Sequence, residues 1–311
     1  MSKIKPLNWN SGQETKGQRR ASEEFDIGDY DYTEDIEEEE IPNQETEQRD
    51  LQEEKSRYEP EQIWNERVHS MLQAVPIEHP QLVIANGMKR SGKSTVVESM
   101  VFEGSQAGPV VDGKPTSLWD RVYVLCPTDG LQSTYNFMKK NPRYVIKNPN
   151  DMTIDWILKE QVRLNSPDEK TGRKRYFSAL IVADDVVGSV NFHRSKAWDK
   201  LATTHRHYNL SIYVITQGLT KISPSLRDNA DHLILTVPKG DNIEHAFKMI
   251  RRGFRNKHEF TLFCNRNLVF DQKRGLMCFL SLPLANGGDN DYMLFTPHAV
   301  RHEWYIAPES K

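Results

Sequence analysis

A chain of 311 residues with 37% hydrophobic and 27% charged residues is long enough for one or two packed domains. It has no uninterrupted apolar run of about 18 residues and no apolar stretch near its start, which argues against a transmembrane helix and a signal peptide. Three cysteines, Cys126, Cys264 and Cys278, lack metal-like spacing, so we read them as buried thiols of a reducing compartment.

The net charge of -3 hides an asymmetry. Residues 1–60 carry 8 Lys/Arg and 18 Asp/Glu, a net of -10, whereas the remainder carries 33 and 26, a net of +7. The segment 1–58 contains "EDIEEEE" and few apolar residues. It cannot bury enough surface to offset the entropy of ordering, and it is predicted to be disordered. Such an arm is either a solvated tail or a partner for a basic surface, this chain's own included.

The folded part, 59–311, alternates short apolar runs with helix-like stretches. Runs at Leu82–Asn86, Val122–Cys126, Phe177–Ala183, Ser211–Thr216 and His232–Thr236 read as parallel strands buried on both faces. Helices are predicted over Lys93–Phe102, Leu131–Lys139, Met152–Leu164, Ser195–His207 and Ile243–Arg252. Leu164–Phe177 interrupts the alternation as a polar, basic loop. Together these predict an α/β fold with right-handed crossovers and helices on both faces of a mostly parallel sheet.

Between the first strand and the first helix stands Gly87-Met88-Lys89-Arg90-Ser91-Gly92-Lys93-Ser94, a full phosphate-loop pattern in the context that the motif requires. Gly87 and Gly92 permit the tight backbone turn that aims N–H groups at phosphates. The helix that opens there, with Arg90, Ser91 and Thr95 flanking, presents its positive end. Lys93 is placed to reach the β- and γ-phosphates of ATP, and the Ser94 hydroxyl to bind Mg²⁺.

"FSALIVADD" sets Asp184 and Asp185 at the carboxyl end of an apolar strand, the edge where ligands sit in open α/β sheets. Asp184 suits Mg²⁺, and Asp185 suits a carboxylate that orients or deprotonates water. "LSIYVITQ" then delivers Gln217 to the same edge, where an amide can bond the attacking water or the γ-phosphate. Arg227, in "SLRDNAD", is a candidate arginine finger for a neighbouring subunit, and Arg206 is a weaker one.

The phosphate loop, "LIVADD", "HRHYNLSIYVITQ" and "SLRDNAD" together resemble the poxvirus-type genome-packaging ATPases of the FtsK–HerA superfamily. The resemblance covers about residues 78–240, leaving 241–311 as a C-terminal extension without a match. It implies a RecA-like sheet of the additional-strand type, with an extra strand between the phosphate-loop strand and the Asp184 strand. It further implies a homo-oligomeric ring, pentamer or hexamer, that pumps double-stranded DNA into a preformed capsid. Capsid or portal-like vertex proteins would then be partners, and the virion or a viral assembly site in the host cytoplasm the location. Two readings stand beside it: a non-packaging translocase or helicase of the same superfamily, and a nucleotide or polynucleotide kinase with "EKTGRKRY" as its lid. A GTPase is excluded by the absence of an Asn-Lys-x-Asp motif.

A core of net +7 suits sequence-independent phosphate contacts with DNA. Candidates are Arg194 and Lys196 after the Asp pair, the insertion with Lys170, Arg173, Lys174 and Arg175, and "KMIRRGFRNKHEF" with Lys248, Arg251, Arg252, Arg255 and Lys257. The C-terminal runs "LVFDQ", "LMCFLSLPLA" and "YMLFTP" read as core, or as a docking platform.

Overall fold

The structure, a computed structural model, describes residues 69–127, 145–146, 149–167, 171–172, 176–186, 195–238, 240–250, 254–268, 270–271, 276–284 and 292–297. The acidic arm and the predicted helix Leu131–Lys139 lie outside these residues.

All five predicted strands form. They are β2 (Leu82–Asn86), β3 (Arg121–Leu125), β5 (Ala179–Asp184), β6 (Leu210–Thr216) and β7 (His232–Leu235). With β1 (His69–Ser70), β4 (Val145–Ile146), β10 (Phe279–Pro283) and β11 (Met293–Thr296) they build a nine-stranded sheet ordered β1-β11-β10-β7-β2-β6-β5-β3-β4. From β7 to β4 every pairing is parallel. Strand β6 lies between the phosphate-loop strand β2 and the Asp184 strand β5, as the additional-strand fold requires.

The central strands β2, β5 and β6 are buried along their whole length, so their residues are mostly apolar without alternation. Leu82, Ile84, Ile181, Ile212 and Val214 point to one side. There they meet α3 (Asp151–Asn165), α4 (Lys196–Thr204), α5 (Pro224–Asp228), α6 (Gly240–Met249) and α7 (Lys257–Asn267). Val83, Ala85, Leu180, Val182 and Tyr213 point to the other side, against α1 (Met71–Ala74) and α2 (Lys93–Gly104). A small antiparallel pair, β8 (Phe270–Asp271) and β9 (Leu276–Met277), stands outside the sheet.

Helix boundaries follow local chemistry. Asn150 caps α3 by accepting the Thr153 N–H at 3.0 Å, while Asp151 in the first turn and Arg163 in the last complement the helix dipole. Ser195 caps α4 through Trp198 N–H, and the predicted single helix to His207 breaks into α4 and a 3₁₀ turn, His205–Tyr208. Helix α6 starts three residues before its predicted Ile243 and ends at Met249.

The C-terminal runs contribute strands. Strand β10 pairs antiparallel with β7, and β11 with β10, so residues beyond 241 complete the sheet that carries the phosphate loop. Of the cysteines, Cys126 and Cys264 are buried, the latter's thiol pushed up to about 12 by burial, whereas Cys278 is half-buried.

The amino-terminal edge of the parallel strands is pinned by polar side chains, of which Asp231 and Ser211 are buried and His79 and Asn209 half-buried. Asp231 accepts the Leu82 N–H at 2.7 Å through Oδ2 and pairs with Arg206 through Oδ1. The Asn209 Nδ2 donates to Phe177 O at 2.9 Å, so its Oδ1 is an acceptor for His79 Nε2–H at 3.0 Å. Neutral His79 then receives the Ser211 hydroxyl at Nδ1, 2.8 Å away.

Candidate functional site

The opposite, carboxyl edge collects the candidate residues. Leaving β2, the chain turns with Gly87 N–H toward Thr216 O at 3.4 Å and Met88 N–H toward Val237 O at 3.2 Å. A Cβ on Gly87 would lie 2.4 Å from both Thr236 Cγ2 and Thr236 O, so only glycine fits between β2 and β7. Arg90 is exposed with φ 61°, and Gly92 has φ 84°, two left-handed steps that curl the loop back on itself. The Ser91 hydroxyl donates to Met88 O at 2.7 Å, and Thr236 Oγ1 donates to Ser91 O at 3.0 Å.

Helix α2 begins at Lys93 with Gly92 as N-cap, which offers no capping side chain, and its first turn holds no acid. Its first N–H groups and the positive end of its dipole therefore face the loop's concavity, an anion-binding arrangement. Lys93 is 8% exposed and its Nζ donates to Met88 O at 2.6 Å. Burial lowers the pKa of its ammonium, and the charges of Asp184 and Asp185 oppose that shift. Thr95 is exposed within the first turn.

Across the sheet, Asp184 ends β5 with 2% exposure, and its Oδ2 accepts the Ser94 hydroxyl at 3.1 Å. A serine hydroxyl and a carboxylate in contact beside an anion cradle fit a hard divalent cation that keeps several of its waters. Asp185 adopts φ 54°. Alternation along β5 puts Ala179, Ile181 and Ala183 on the α3–α7 side, and Val186 returns to that same core at 1% exposure. The left-handed step at Asp185 is what lets Val186 rejoin the core while Asp185 stays half-buried at the rim.

Gln217, one residue past β6, is exposed, and its Nε2 lies 3.4 Å from Asp185 Oδ1. Its main chain is held by a residue the motif reading did not contain. Asn242, 5% exposed on α6, donates Nδ2–H to Gln217 O at 2.8 Å and accepts Leu219 N–H at 3.0 Å. Phe279 was also missed: its ring lies 3.0 Å from where a Gly92 Cβ would stand, and it stacks on Phe295 with centroids 5.6 Å apart. Neither residue carries a local signal: Phe279 shares the strand face of Ser281, opposite Leu280 and Leu282.

Several expectations change. Arg206 is exposed and pairs with Asp231 of its own chain at the amino edge of the sheet. Arg227 is half-buried on α5 and donates Nη1–H to Leu219 O at 3.1 Å within its own chain. Of the DNA candidates, Lys196 is exposed at the start of α4, while Arg194, Arg173 and Lys174, with Lys170 and Arg175, lie outside the described residues. In the stretch around Lys248, Arg251 and Arg252 lie outside the described residues, Arg255 is exposed, and Glu244 pairs with Lys248 at 2.8 Å and lies 3.9 Å from Lys257, which opens α7.

No family model matches the chain, and no curated protein matches it. Among solved structures, it is similar to the genome-packaging NTPase B204 from Sulfolobus turreted icosahedral virus 2 in complex with AMPPCP, at 13% identity and TM-score 0.47, covering 71% of this chain and 99% of that one. It is also similar to the N-terminal domain of zonular occludens toxin from Neisseria meningitidis, at 13% identity and TM-score 0.39, covering 75% and 100%. The cytoplasmic domain of the type VII secretion ATPase EccC from Thermomonospora curvata aligns at 11% identity and TM-score 0.46, covering 70% of this chain and 25% of that one. The strand order and the loop between β2 and α2 make the chain a P-loop NTPase fold of the additional-strand type.

Proposed function

We propose that the chain is a Mg-ATP hydrolase that translocates double-stranded DNA, working as a homo-oligomeric ring to package a viral genome. The observation that carries the hydrolase reading is the meeting of three strand ends on one rim: the phosphate loop after β2, the Ser94–Asp184 pair at β5, and the Asp185–Gln217 pair spanning β5 and β6. The DNA and packaging reading rests on the resemblance of the motif series across residues 78–240.

The roles follow from the chemistry of each group. Backbone N–H groups of residues 89–94 and the Lys93 ammonium hold the β- and γ-phosphates. Ser94 and Asp184 would hold Mg²⁺, which when bound neutralises charge on the phosphate oxygens. Asp185 accepts a proton from, or orients, the water that attacks the γ-phosphorus, and Gln217 fixes that water or the γ-phosphate from the other side. Arg227 of a neighbouring subunit serves as the finger that stabilises charge on the transferring group, once its bond to Leu219 O is released.

ATP hydrolysis by the full chain, with and without long double-stranded DNA, tests this beside Asp185→Ala and Arg227→Ala. DNA should stimulate turnover, each variant should be inactive, and mixing the two should restore part of the activity. No stimulation, with phosphate appearing on a small acceptor, would move the kinase reading to the front. Recovery absent from the mixture would confine the site to one subunit.

A further inference from the structure

The short segment Gln217–Leu219 is gripped by side chains from three directions. Thr216 Oγ1 accepts the Gly218 N–H at 3.1 Å and donates to Gly218 O at 3.0 Å. Arg227 takes Leu219 O at 3.1 Å. Asn242 takes Gln217 O at 2.8 Å and Leu219 N–H at 3.0 Å, with both ends of one amide. In the Gln217–Leu219 backbone the side chain left exposed is that of Gln217, and it points at Asp185 Oδ1, 3.4 Å away.

The geometry points to Asn242 as a positioning residue for Gln217, a role that rests on the hydrolase reading above. Strand β6 is complete at Thr216, with its ladder to β2 and β5 intact up to that level, so the sheet does not need Asn242 to set its register. What Asn242 fixes is the direction in which the chain leaves β6, and with it where the Gln217 amide lies relative to Asp185. Its location adds a consequence. Asn242 sits in the first turn of α6, three residues into a helix packed on the sheet face opposite α2. The grip on Gln217 thus comes from the sheet face opposite the one that carries the phosphate-loop helix.

The amide's two ends can be tested separately. Asn242→Asp keeps an acceptor for Leu219 N–H and replaces the donor to Gln217 O with a repelling oxygen, whereas Asn242→Ala removes both. Turnover, ATP KM, affinity for a non-hydrolysable ATP analogue and hydrogen exchange at the Leu219 amide should be measured on the full-length protein, alone and in a Gln217→Ala background. Both Asn242 variants should lose about tenfold to a hundredfold in kcat, the size expected for a small misplacement of a reacting group. KM and analogue affinity should stay near the parent values. Leu219 amide exchange should speed up in Asn242→Ala and remain slow in Asn242→Asp. In the Gln217→Ala background neither substitution should cost further activity, since they act through a side chain already gone. Undiminished kcat in Asn242→Ala beside a slow Gln217→Ala would overturn the inference alone. The same holds for an Asn242 loss that persists in full without Gln217. Absence of ATP hydrolysis in the parent protein would overturn the hydrolase reading and this role with it.

Discussion

Asp185 has two jobs, one in the backbone and one in its carboxylate, and a substitution series separates them. Its φ of 54° is disfavoured for a residue with a Cβ, and Asn and Gly tolerate that region better than Ala. Asp185→Asn and Asp185→Gly should therefore melt near the parent temperature, while Asp185→Ala should lose about 1 kcal/mol relative to glycine. All three lack the proton acceptor, so all three should lose about 10²- to 10⁴-fold in turnover. Calorimetric melting beside steady-state ATPase rates checks both halves. Full activity in Asp185→Asn would leave the residue only its turn, and the Gln217 contact would then be a structural hydrogen bond. The neighbouring Asp184 has no such backbone demand, because it is still within β5 and keeps the strand's alternation, facing Ser94 on the α2 side.

Among the elements, β10 links the C-terminal part of the chain to phosphate binding. Phe279 forms a floor under Gly92, and Phe295 on β11 stacks one layer further out. Both rings are fully buried, and replacing either by Leu removes similar volume. Phe279→Leu should raise the ATP KM because the left-handed turn at Gly92 loses its support, whereas Phe295→Leu should lower the melting temperature and leave KM unchanged. Equal KM values in the two variants would make Phe279 a core residue only. This is also where the sequence stopped being legible. The phosphate loop could be read because its glycine spacing, strand and helix lie within one short stretch, and Asp184 and Gln217 because strand parity puts them on one face of adjacent strand ends. Strands β10 and β11 carry no motif, and their place beside β7 depends on an antiparallel pairing that nothing local signals. Asn242 is invisible for the same reason, since its partners lie 23 and 25 residues away. The partners of Arg206 and Arg227 were equally hidden from the sequence, because Asp231 and Leu219 O are brought to them by the fold, 25 and 8 residues away along the chain.

Across the whole molecule, the two edges of the parallel sheet are built on different chemistry. The carboxyl edge holds the phosphate loop with the buried Lys93 and Asp184, and the half-buried Asp185 beside the exposed Gln217. The amino edge holds a polar network around three histidines, the buried His205 and the half-buried His79 and His232, each with its pKa lowered from 6.5 chiefly by burial. Asn209 and Asp120 partly offset that shift at His79, while Asp231 does so at both His205 and His232, joined by Glu78 at His232. The sign of the linkage is fixed by these shifts. The unfolded chain takes up protons as pH falls through about 6.5, whereas the folded chain resists until lower pH, so the unfolded state binds more protons in that window and stability falls with falling pH. Each histidine's contribution is fully present above the unfolded value and is lost between that value and the lower folded one. The melting temperature of the full chain should therefore decline from about pH 7.5 to about pH 5.5. His205 donates Nδ1–H to Ala202 O at 2.9 Å and buries Nε2 without a hydrogen-bond partner, so protonation there would create a buried, unpaired cation. His205→Gln keeps a donor for Ala202 O and cannot titrate, and it should flatten the acid slope. An unchanged slope in that variant would assign the acid sensitivity to His79 and His232. A flat profile in the parent would mean that the amino edge opens to water before the histidines charge. In either case ATP KM measured at pH 6 should follow the fraction of folded protein, because the network is at the other end of the strands from Lys93 and Asp184.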